Sequence, residues 1–163
     1  MSSPKDRPVA VGDAAPDFTL PDQTGTARRF ADLRLNNGAM RPVVLYFYPG
    51  NFTPICTKEA CAFRDSYADF VDAGAAVIGV SGDSPESHAR FASTMGLGFT
   101  LLSDSSGDTR RLYGVAKSFG LLAGRVTYVI DSSGLVRMVY NAPMRAAAHV
   151  RNALELVRKL GTE

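Results

Sequence analysis

Two cysteines lie five positions apart in one short segment, and their surroundings favour redox chemistry. Thr53 and Pro54 precede Cys56, and these residue types are preferred at the N-cap and at the first position of a helix. Cys56 then falls in the first helical turn, where unpaired amides and the helix dipole favour negative charge. Because the thiolate is the nucleophilic form of cysteine, the segment predicts a reactive Cys56, with Cys61 two turns further along.

The helix that must hold both cysteines also keeps them apart. Positions i and i+5 of an α-helix are separated by about 8.7 Å between Cα atoms, whereas a disulfide needs Cα atoms within about 7 Å. A bond between Cys56 and Cys61 therefore requires the first helical turns to unwind. One interpretation is a cycle in which Cys56 attacks an oxidant and becomes a sulfenic acid. Cys61 then resolves it as a disulfide, and an external reductant restores both thiols.

Three other interpretations of the cysteines remain open. A structural disulfide across so short a loop removes little entropy from the unfolded chain and would break a helix. A zinc site lacks ligands at suitable spacing, because His88 and His149 lie on separate predicted helices. Two inert buried thiols are the usual fate of cysteine on a helix, although the Thr-Pro start of this helix disfavours that for Cys56.

Composition and charge describe a globular chain without a basic surface block. The chain has 163 residues, with 45% hydrophobic and 21% charged residues and a net charge of +2. This length predicts one domain over residues 1–163. The pairs Arg28-Arg29 and Arg110-Arg111 are predicted to be solvated, so no nucleic-acid partner is expected.

The N-terminal residues and the apolar runs carry no targeting or membrane signal. Residues 1–8 are polar, are predicted to form a loose tail and lack the apolar region of a signal peptide. The longest apolar runs are far shorter than the roughly 20 residues that span a bilayer. The sequence therefore predicts a cytoplasmic protein without membrane contact.

Alternating strand and helix patterns surround the cysteine segment. Strands are predicted at 43–48, 75–80, 99–102, 125–130 and 135–140, and helices at 57–72, 86–95, 109–113 and 145–160. The alternation predicts a parallel pair, and the last two strands flank a turn that predicts an antiparallel hairpin. The fold class is α/β, a mixed central sheet with helices on both faces.

The cysteine segment resembles the active-site signature of the peroxiredoxins. Pro49-x-x-x-Thr53-x-x-Cys56 matches that signature, and the Cys-x-x-x-x-Cys spacing resembles the branch called PrxQ, or bacterioferritin comigratory protein. Similar segments follow in the family's order, at 15–18, 77–84, 99–104 and 124–131. The resemblance extends over residues 8–160.

The resemblance implies a thioredoxin-like fold and thiol-dependent reduction of hydrogen peroxide and organic hydroperoxides. By this resemblance Cys56 is the peroxidatic cysteine and Cys61 the resolving one. Thr53 matches the residue whose hydroxyl contacts the peroxide and the sulfur, and Pro49 matches the residue that shields the pocket. Arg125 matches the arginine that stabilises the thiolate and polarises the peroxide. The family further implies thioredoxin or a similar dithiol reductant, a monomer or weak dimer, and no metal, flavin or haem.

Some positions depart from the family pattern or stay open. Ile55 stands where the branch usually has glycine, and a β-branched residue would stiffen the helix start. We therefore expect slower unwinding and more overoxidation of Cys56. Asn51 and Phe52 replace charged residues that are often found there. Glu59 is either a partner for an arginine near the site or an exposed helix charge.

Two competing functions use the same cysteines. A thiol–disulfide oxidoreductase on this fold would need Cys-x-x-Cys, which the chain lacks, and a proline where it has Arg125-Val126-Thr127. A redox-sensing module could use a Cys56–Cys61 switch to change its affinity for a partner. A sensor would react once, whereas a peroxidase consumes many equivalents of peroxide.

Overall fold

Within residues 7–115, 124–142 and 144–161, which a computed structural model describes, five strands form a mixed central sheet. In chain order the elements are β1 Thr19–Pro21, β2 Ala27–Arg29, α1 Phe30–Leu33, β3 Leu35–Asn36, β4 Ala39–Met40, β5 Val43–Phe47, α2 Pro54–Asp65, α3 Tyr67–Asp72, β6 Ala76–Ser81, α4 Pro85–Met95, β7 Thr100–Ser103, α5 Asp108–Tyr113, β8 Val126–Ile130, β9 Val136–Asn141 and α6 Ala146–Leu160. The central sheet has the order β7-β6-β5-β8-β9. Most of the tail predicted at 1–8 lies outside the described residues.

The direction of β8 positions the site. β5, β6 and β7 are parallel, and β8 and β9 form an antiparallel hairpin, so both predicted pairings are confirmed. β8 lies antiparallel to β5, with Phe47 opposite Val126. The residue before β8 is Arg125, and the segment after β5 leads to Cys56. Both therefore lie at the same edge of the sheet.

Helices cover both faces of the sheet, as predicted. β5 is buried at every position, because its alternate residues serve two apolar clusters. Val44 and Tyr46 pack with residues of α2, α3, α4 and α6, including Phe63. Leu45 and Phe47 pack on the other face with residues of α1 and α5. One face thus carries the cysteine helix, and the other is closed by the shorter helices.

The helix predicted over 57–72 is two helices. α2 begins at Pro54 with Thr53 as N-cap, as predicted. It ends before Ser66, whose φ of −99° and ψ of 3° interrupt the helical backbone, and α3 follows. Phe70 faces the core, but Val71 is 52% exposed. Val71, although apolar, therefore lies on the exposed side of α3.

The first 40 residues contain short strands that the sequence pattern did not predict. β1 pairs with β2, and β3 pairs with β4 across Asn37 and Gly38, which both have positive φ. Strands of two or three residues are too short for an alternating pattern to indicate them. No helix within the described ranges is long and apolar enough to cross a membrane.

Candidate active site

Cys56 lies in the first turn of α2 and is only 1% exposed. The first hydrogen bond of the helix runs from the Thr57 amide to the Thr53 carbonyl, at 2.8 Å. The amides of Ile55 and Cys56 come before this bond, so they belong to the unpaired donors of a helix start. The Cys56 sulfur is therefore both shielded from water and close to the positive end of the helix dipole.

Arg125 contacts the Cys56 sulfur directly. Its Nη2 lies 3.1 Å from Sγ, and its side chain is 3% exposed. The two residues are far apart in the sequence, and the antiparallel pairing of β8 with β5 brings them together. A guanidinium at this distance favours the negative charge of a thiolate, and burial strengthens the interaction.

Glu59 holds the other end of the Arg125 guanidinium. Its Oε1 accepts a hydrogen bond from Arg125 Nη1 at 2.5 Å, and its side chain is fully buried. Burial raises the pKa of Glu59 to about 7, although the charge of Arg125 acts in the opposite direction. Burial would lower the pKa of Arg125, but Glu59 and Cys56 together raise it above its ordinary value. Of the two interpretations of Glu59, the arginine partner is confirmed and the exposed charge is wrong.

His149 lies behind this ion pair. Its Nδ1 is 3.6 Å from Glu59 Oε2 and 2.7 Å from Thr127 Oγ1, and its Nε2 is 2.7 Å from the Ala142 carbonyl. Burial lowers the pKa of His149 to about 4, so the ring is neutral near pH 7. Because a carbonyl can only accept, Nε2 carries the hydrogen, and Nδ1 accepts from the Thr127 hydroxyl.

The remaining predicted residues lie around this centre but do not all touch it. Cys61 is partly exposed on the same unbroken helix, and both cysteines are free thiols. Thr53 donates its hydroxyl to the Gly50 carbonyl at 2.9 Å, and its side chain is exposed. Pro49 is half-buried just after β5. The structure thus brings Cys56 to Arg125, and leaves Cys61 one and a half turns away.

Asn51 anchors the loop between β5 and α2. Tyr48 donates its hydroxyl to Asn51 Oδ1 at 2.7 Å, and the Asn51 amide nitrogen lies 2.9 Å from His88 Nδ1. The Asn51 backbone amide donates to Asp83 at 2.8 Å. The departure from the family pattern at this position therefore has a structural role. Phe52 follows with a positive φ of 64° and packs edge-on against Phe91.

Arg110 fixes the backbone on both sides of the site. Its guanidinium donates to the carbonyl of Tyr48 at 3.1 Å and to that of Gly124 at 3.0 Å. Gly124 directly precedes Arg125, so Arg110 connects the start of the cysteine loop to the start of β8. Burial lowers the pKa of Arg110. The prediction of a solvated pair is wrong for Arg110, whereas Arg111 is exposed.

The arrangement suits nucleophilic attack on an electrophile that leaves with negative charge. A buried sulfur, a guanidinium and helix amides can together stabilise charge on both the attacking and the departing atoms. His88 and His149 lie on α4 and α6, and each ring forms hydrogen bonds within the protein. Over the described residues, no group of three or more His, Cys, Asp or Glu side chains is placed to hold a metal ion.

Comparison with known sequences gives a consistent set of relatives. The profile of the AhpC/TSA family matches residues 11–139. The chain is 49% identical over 153 residues to the chloroplastic peroxiredoxin Q of Populus jackii, which covers 93% of this chain and 70% of the relative. It is 48% identical over 153 residues to the chloroplastic peroxiredoxin Q of Sedum lineare, with 93% and 80% covered.

Comparison with solved structures finds the same kind of relatives as the sequence comparison. The peroxidoxin BcpB of Mycobacterium tuberculosis is similar with a TM-score of 0.84 and 40% identity, over 93% of this chain and 97% of that one. The bacterioferritin comigratory protein of Xanthomonas campestris, described for its alkyl peroxide reduction activity, gives a TM-score of 0.80 and 28% identity, over 94% and 98%. The predicted thioredoxin-like fold is thereby confirmed.

Proposed function

Because the chain belongs to the AhpC/TSA family and is a thiol peroxidase of the peroxiredoxin Q type, we propose that Cys56 is its peroxidatic cysteine and Cys61 its resolving cysteine. The observation that carries this assignment is the 3.1 Å contact between Arg125 Nη2 and the buried Cys56 sulfur. The substrates are hydrogen peroxide and organic hydroperoxides, and thioredoxin is the reductant. The activity serves antioxidant defence and redox homeostasis.

In the first step the Cys56 thiolate attacks the terminal oxygen of the hydroperoxide. An S–O bond forms as the O–O bond breaks, and the leaving alkoxide or hydroxide takes a proton to become an alcohol or water. The sulfur is oxidised to a sulfenic acid, and the peroxide is reduced. Arg125 and the amides of the first turn stabilise the developing charge, and the Thr53 hydroxyl joins them once it turns from the Gly50 carbonyl to the peroxide, while Pro49 shields the pocket from water.

In the second step the Cys61 sulfur attacks the sulfenic sulfur. An S–S bond forms, and the sulfenic hydroxyl leaves as water after it takes a proton. The first turns of α2 must unwind for this step, because an intact helix keeps the two Cα atoms about 8.7 Å apart. The dithiol of thioredoxin then reduces the disulfide by thiol–disulfide exchange, which restores both cysteines and oxidises thioredoxin.

Peroxide-dependent NADPH oxidation through thioredoxin and its reductase tests the proposal. We expect Cys56→Ser to abolish peroxide consumption completely. Cys61→Ser should stop thioredoxin-driven turnover but leave a single oxidation of Cys56, detectable by mass spectrometry. Many equivalents of peroxide consumed per chain would separate the enzyme from a sensor that reacts once. Activity retained in Cys56→Ser would show that the roles are assigned wrongly.

We also propose that the protein acts as a cytoplasmic monomer, without nucleic-acid or membrane partners, and that residues 1–163 form one domain. The small net charge of +2 supports the absence of a nucleic-acid partner. The plant relatives described above are chloroplastic by name, so the compartment needs its own test. Fractionation of the source cells and light scattering of the purified protein would establish compartment and mass.

A further inference from the structure

A carboxylate oxygen behind the reactive cysteine has no hydrogen-bond partner within the described part of the chain. This atom is Glu59 Oε2, and it is fully buried. The other oxygen of the same carboxylate bonds Arg125. An unsatisfied buried carboxylate oxygen costs free energy, and its presence in a folded protein calls for an explanation. On the side away from Cys56 this atom meets a second polar group, because His149 Nδ1 lies 3.6 Å from it.

The orientation of the His149 ring is fixed by its surroundings. Nε2 donates a hydrogen bond to the Ala142 carbonyl, and Nδ1 accepts one from the Thr127 hydroxyl, each at 2.7 Å. Tyr140 packs edge-on against the ring, with 4.7 Å between ring centroids. Nδ1 therefore faces both Thr127 and Glu59 Oε2, and the ring cannot turn away without losing two buried hydrogen bonds.

Oε2 thus lies beside Nδ1 in a buried space, although the single lone pair of Nδ1 already accepts the Thr127 hydroxyl. A proton on Oε2 makes the contact attractive, because that lone pair can be shared between two donors. Burial raises the pKa of Glu59 to about 7 and lowers that of His149 to about 4, so a proton bound between them resides on Glu59. Arg125 acts on this carboxylate from the β8 side, and His149 faces it from α6. The carboxylate in turn raises the pKa of Tyr46 and of Tyr48 on the β5 side.

We propose that His149 is a positioning residue of the peroxidase reaction, which acts through Glu59 to hold Arg125 against the Cys56 sulfur. The proposal rests on the peroxidase function proposed above. His149 limits where Oε2 can lie, and so fixes the plane of the carboxylate. That plane directs Oε1 to Arg125 Nη1, and the rigid guanidinium then carries Nη2 to the sulfur. A carboxylate free to rotate would leave the guanidinium with more than one orientation.

Rapid-mixing measurement of the first oxidation step tests this proposal. We expect His149→Leu to lower the second-order rate constant for Cys56 oxidation by about tenfold, since positioning errors of this kind are costly. The KM for thioredoxin should stay within about twofold, because reduction of the disulfide does not use Arg125. His149→Asn places a polar atom near Nδ1 without the Ala142 bond, and should recover most of the rate.

A double-mutant cycle separates positioning from a general effect on the fold. In a Glu59→Met background the pathway through the carboxylate is absent, so His149→Leu should change the rate by less than about twofold. Tyr140→Phe keeps the ring contact with His149 and serves as the matched control, with an unchanged rate. Equal losses in the parent and Glu59→Met backgrounds, or no loss in the parent, would overturn the proposal.

Two further outcomes have distinct meanings. If His149→Leu does not fold, His149→Gln, which retains a donor for the Ala142 carbonyl, replaces it in the same cycle with the same expected result. If the unmodified protein consumes no peroxide, the proposed function itself is wrong, and the proposal about His149 is overturned with it. A normal first step in the parent together with additive losses overturns only the proposal about His149.

Discussion

At the scale of single residues, Arg125 lies between two partners that can carry negative charge. The two have different roles in the proposed cycle. Cys56 changes oxidation state in the proposed cycle, whereas Glu59 pairs with the guanidinium in the reduced protein and raises its pKa. A buried ion pair can fix the geometry of its two side chains even where it adds little net stability, because desolvation of both charges offsets their attraction. Here the geometry is what the chemistry needs, because one guanidinium must reach Glu59 and the sulfur at once.

The protonation of Glu59 gives a stability prediction with a defined sign. Its pKa is about 7 in the folded protein and 4.5 in a free side chain, so between these values the folded state binds more protons. The free energy of unfolding should therefore fall as pH rises from about 4.5 to about 7, and then level off. Glu59→Gln cannot ionise and should gain stability relative to the parent across that window.

Urea unfolding at several pH values, with free energies compared between the variant and the parent, measures this difference. Glu155→Gln removes an exposed carboxylate on α6 and should follow the pH dependence of the parent. A stability difference between Glu59→Gln and the parent that is independent of pH would contradict the raised pKa of Glu59.

The sequence named Cys56 and Arg125, which the structure brings together, but it did not determine the partners behind them. Cys56 and Arg125 belong to recognisable motifs, but Glu59 and His149 carry only a weaker signal. Glu59 lies four positions before Phe63, and His149 lies four before Ala153. Each polar residue therefore falls in the apolar stripe of its helix, which indicates burial. Helical spacing cannot name their partners, because those are set by the register of a sheet formed by distant segments.

At the scale of elements, α2 holds the proposed nucleophile and is also the segment that the proposed disulfide would have to unwind. Ile55 is half-buried and lines a groove of about 380 Å³ between α2 and the start of α6, together with Met144 and Ala147. The side chain that stiffens the first turn thus also borders the groove in front of α6. Its β-branch favours the wound state of the Cys56 turn.

Ile55→Gly should therefore reduce overoxidation. Glycine in a helix costs about 0.5–1 kcal/mol relative to alanine, so the unwound state should become about threefold more populated. Cys61 then reaches the sulfenic acid sooner, and the yield of sulfinic acid at a given peroxide dose should fall by about threefold. Mass spectrometry across a peroxide dose series measures this yield. Ile55→Val keeps the β-branch and should match the parent, and equal sensitivity of Ile55→Gly and the parent would contradict the idea.

The boundaries of elements were harder to predict than their existence. The sequence predicts the start of α2, because Thr53 and Pro54 are strong helix-start residues. It does not predict the break at Ser66, because the apolar residues on both sides of the break fit a single helical period. Phe63 and Phe70 are buried on either side of the break, and Val71 beside Phe70 lies on the exposed side of α3.

At the scale of the whole molecule, the proposed disulfide would change one helix end and leave the central sheet in place. The strands β5, β6 and β8 are almost wholly buried between two apolar clusters. The alternating pattern predicted the parallel pair and the final hairpin. It did not predict that β8 lies beside β5, because the apolar pattern of a fully buried strand does not specify its neighbour in the sheet.

The contrast between the buried sheet and the start of α2 predicts where disulfide formation increases local unfolding. Oxidation to the Cys56–Cys61 disulfide should accelerate amide hydrogen exchange in the first two turns of α2 by at least about tenfold, because that segment must unwind. Exchange in β5, β6 and β8 should stay nearly unchanged. Hydrogen-exchange mass spectrometry of the reduced and oxidised protein measures both.

Cys61→Ser cannot form the disulfide and should keep the reduced pattern of exchange in α2 after peroxide treatment. If α2 is equally protected in the reduced and disulfide forms of the parent, the two cysteines bond without unwinding. That result would contradict the geometric argument made from the helix.

The position of Glu59 between the two cysteines links acidity to reduction potential. When the proposed disulfide forms, Glu59 moves with the unwound segment, and contact with water returns its pKa toward 4.5. Between about pH 4.5 and about pH 7, oxidation would then release up to one proton more than the two thiols supply. One extra proton in a two-electron couple adds about 30 mV per pH unit. Acidification within this range would therefore make the disulfide easier to reduce than thiol chemistry alone requires.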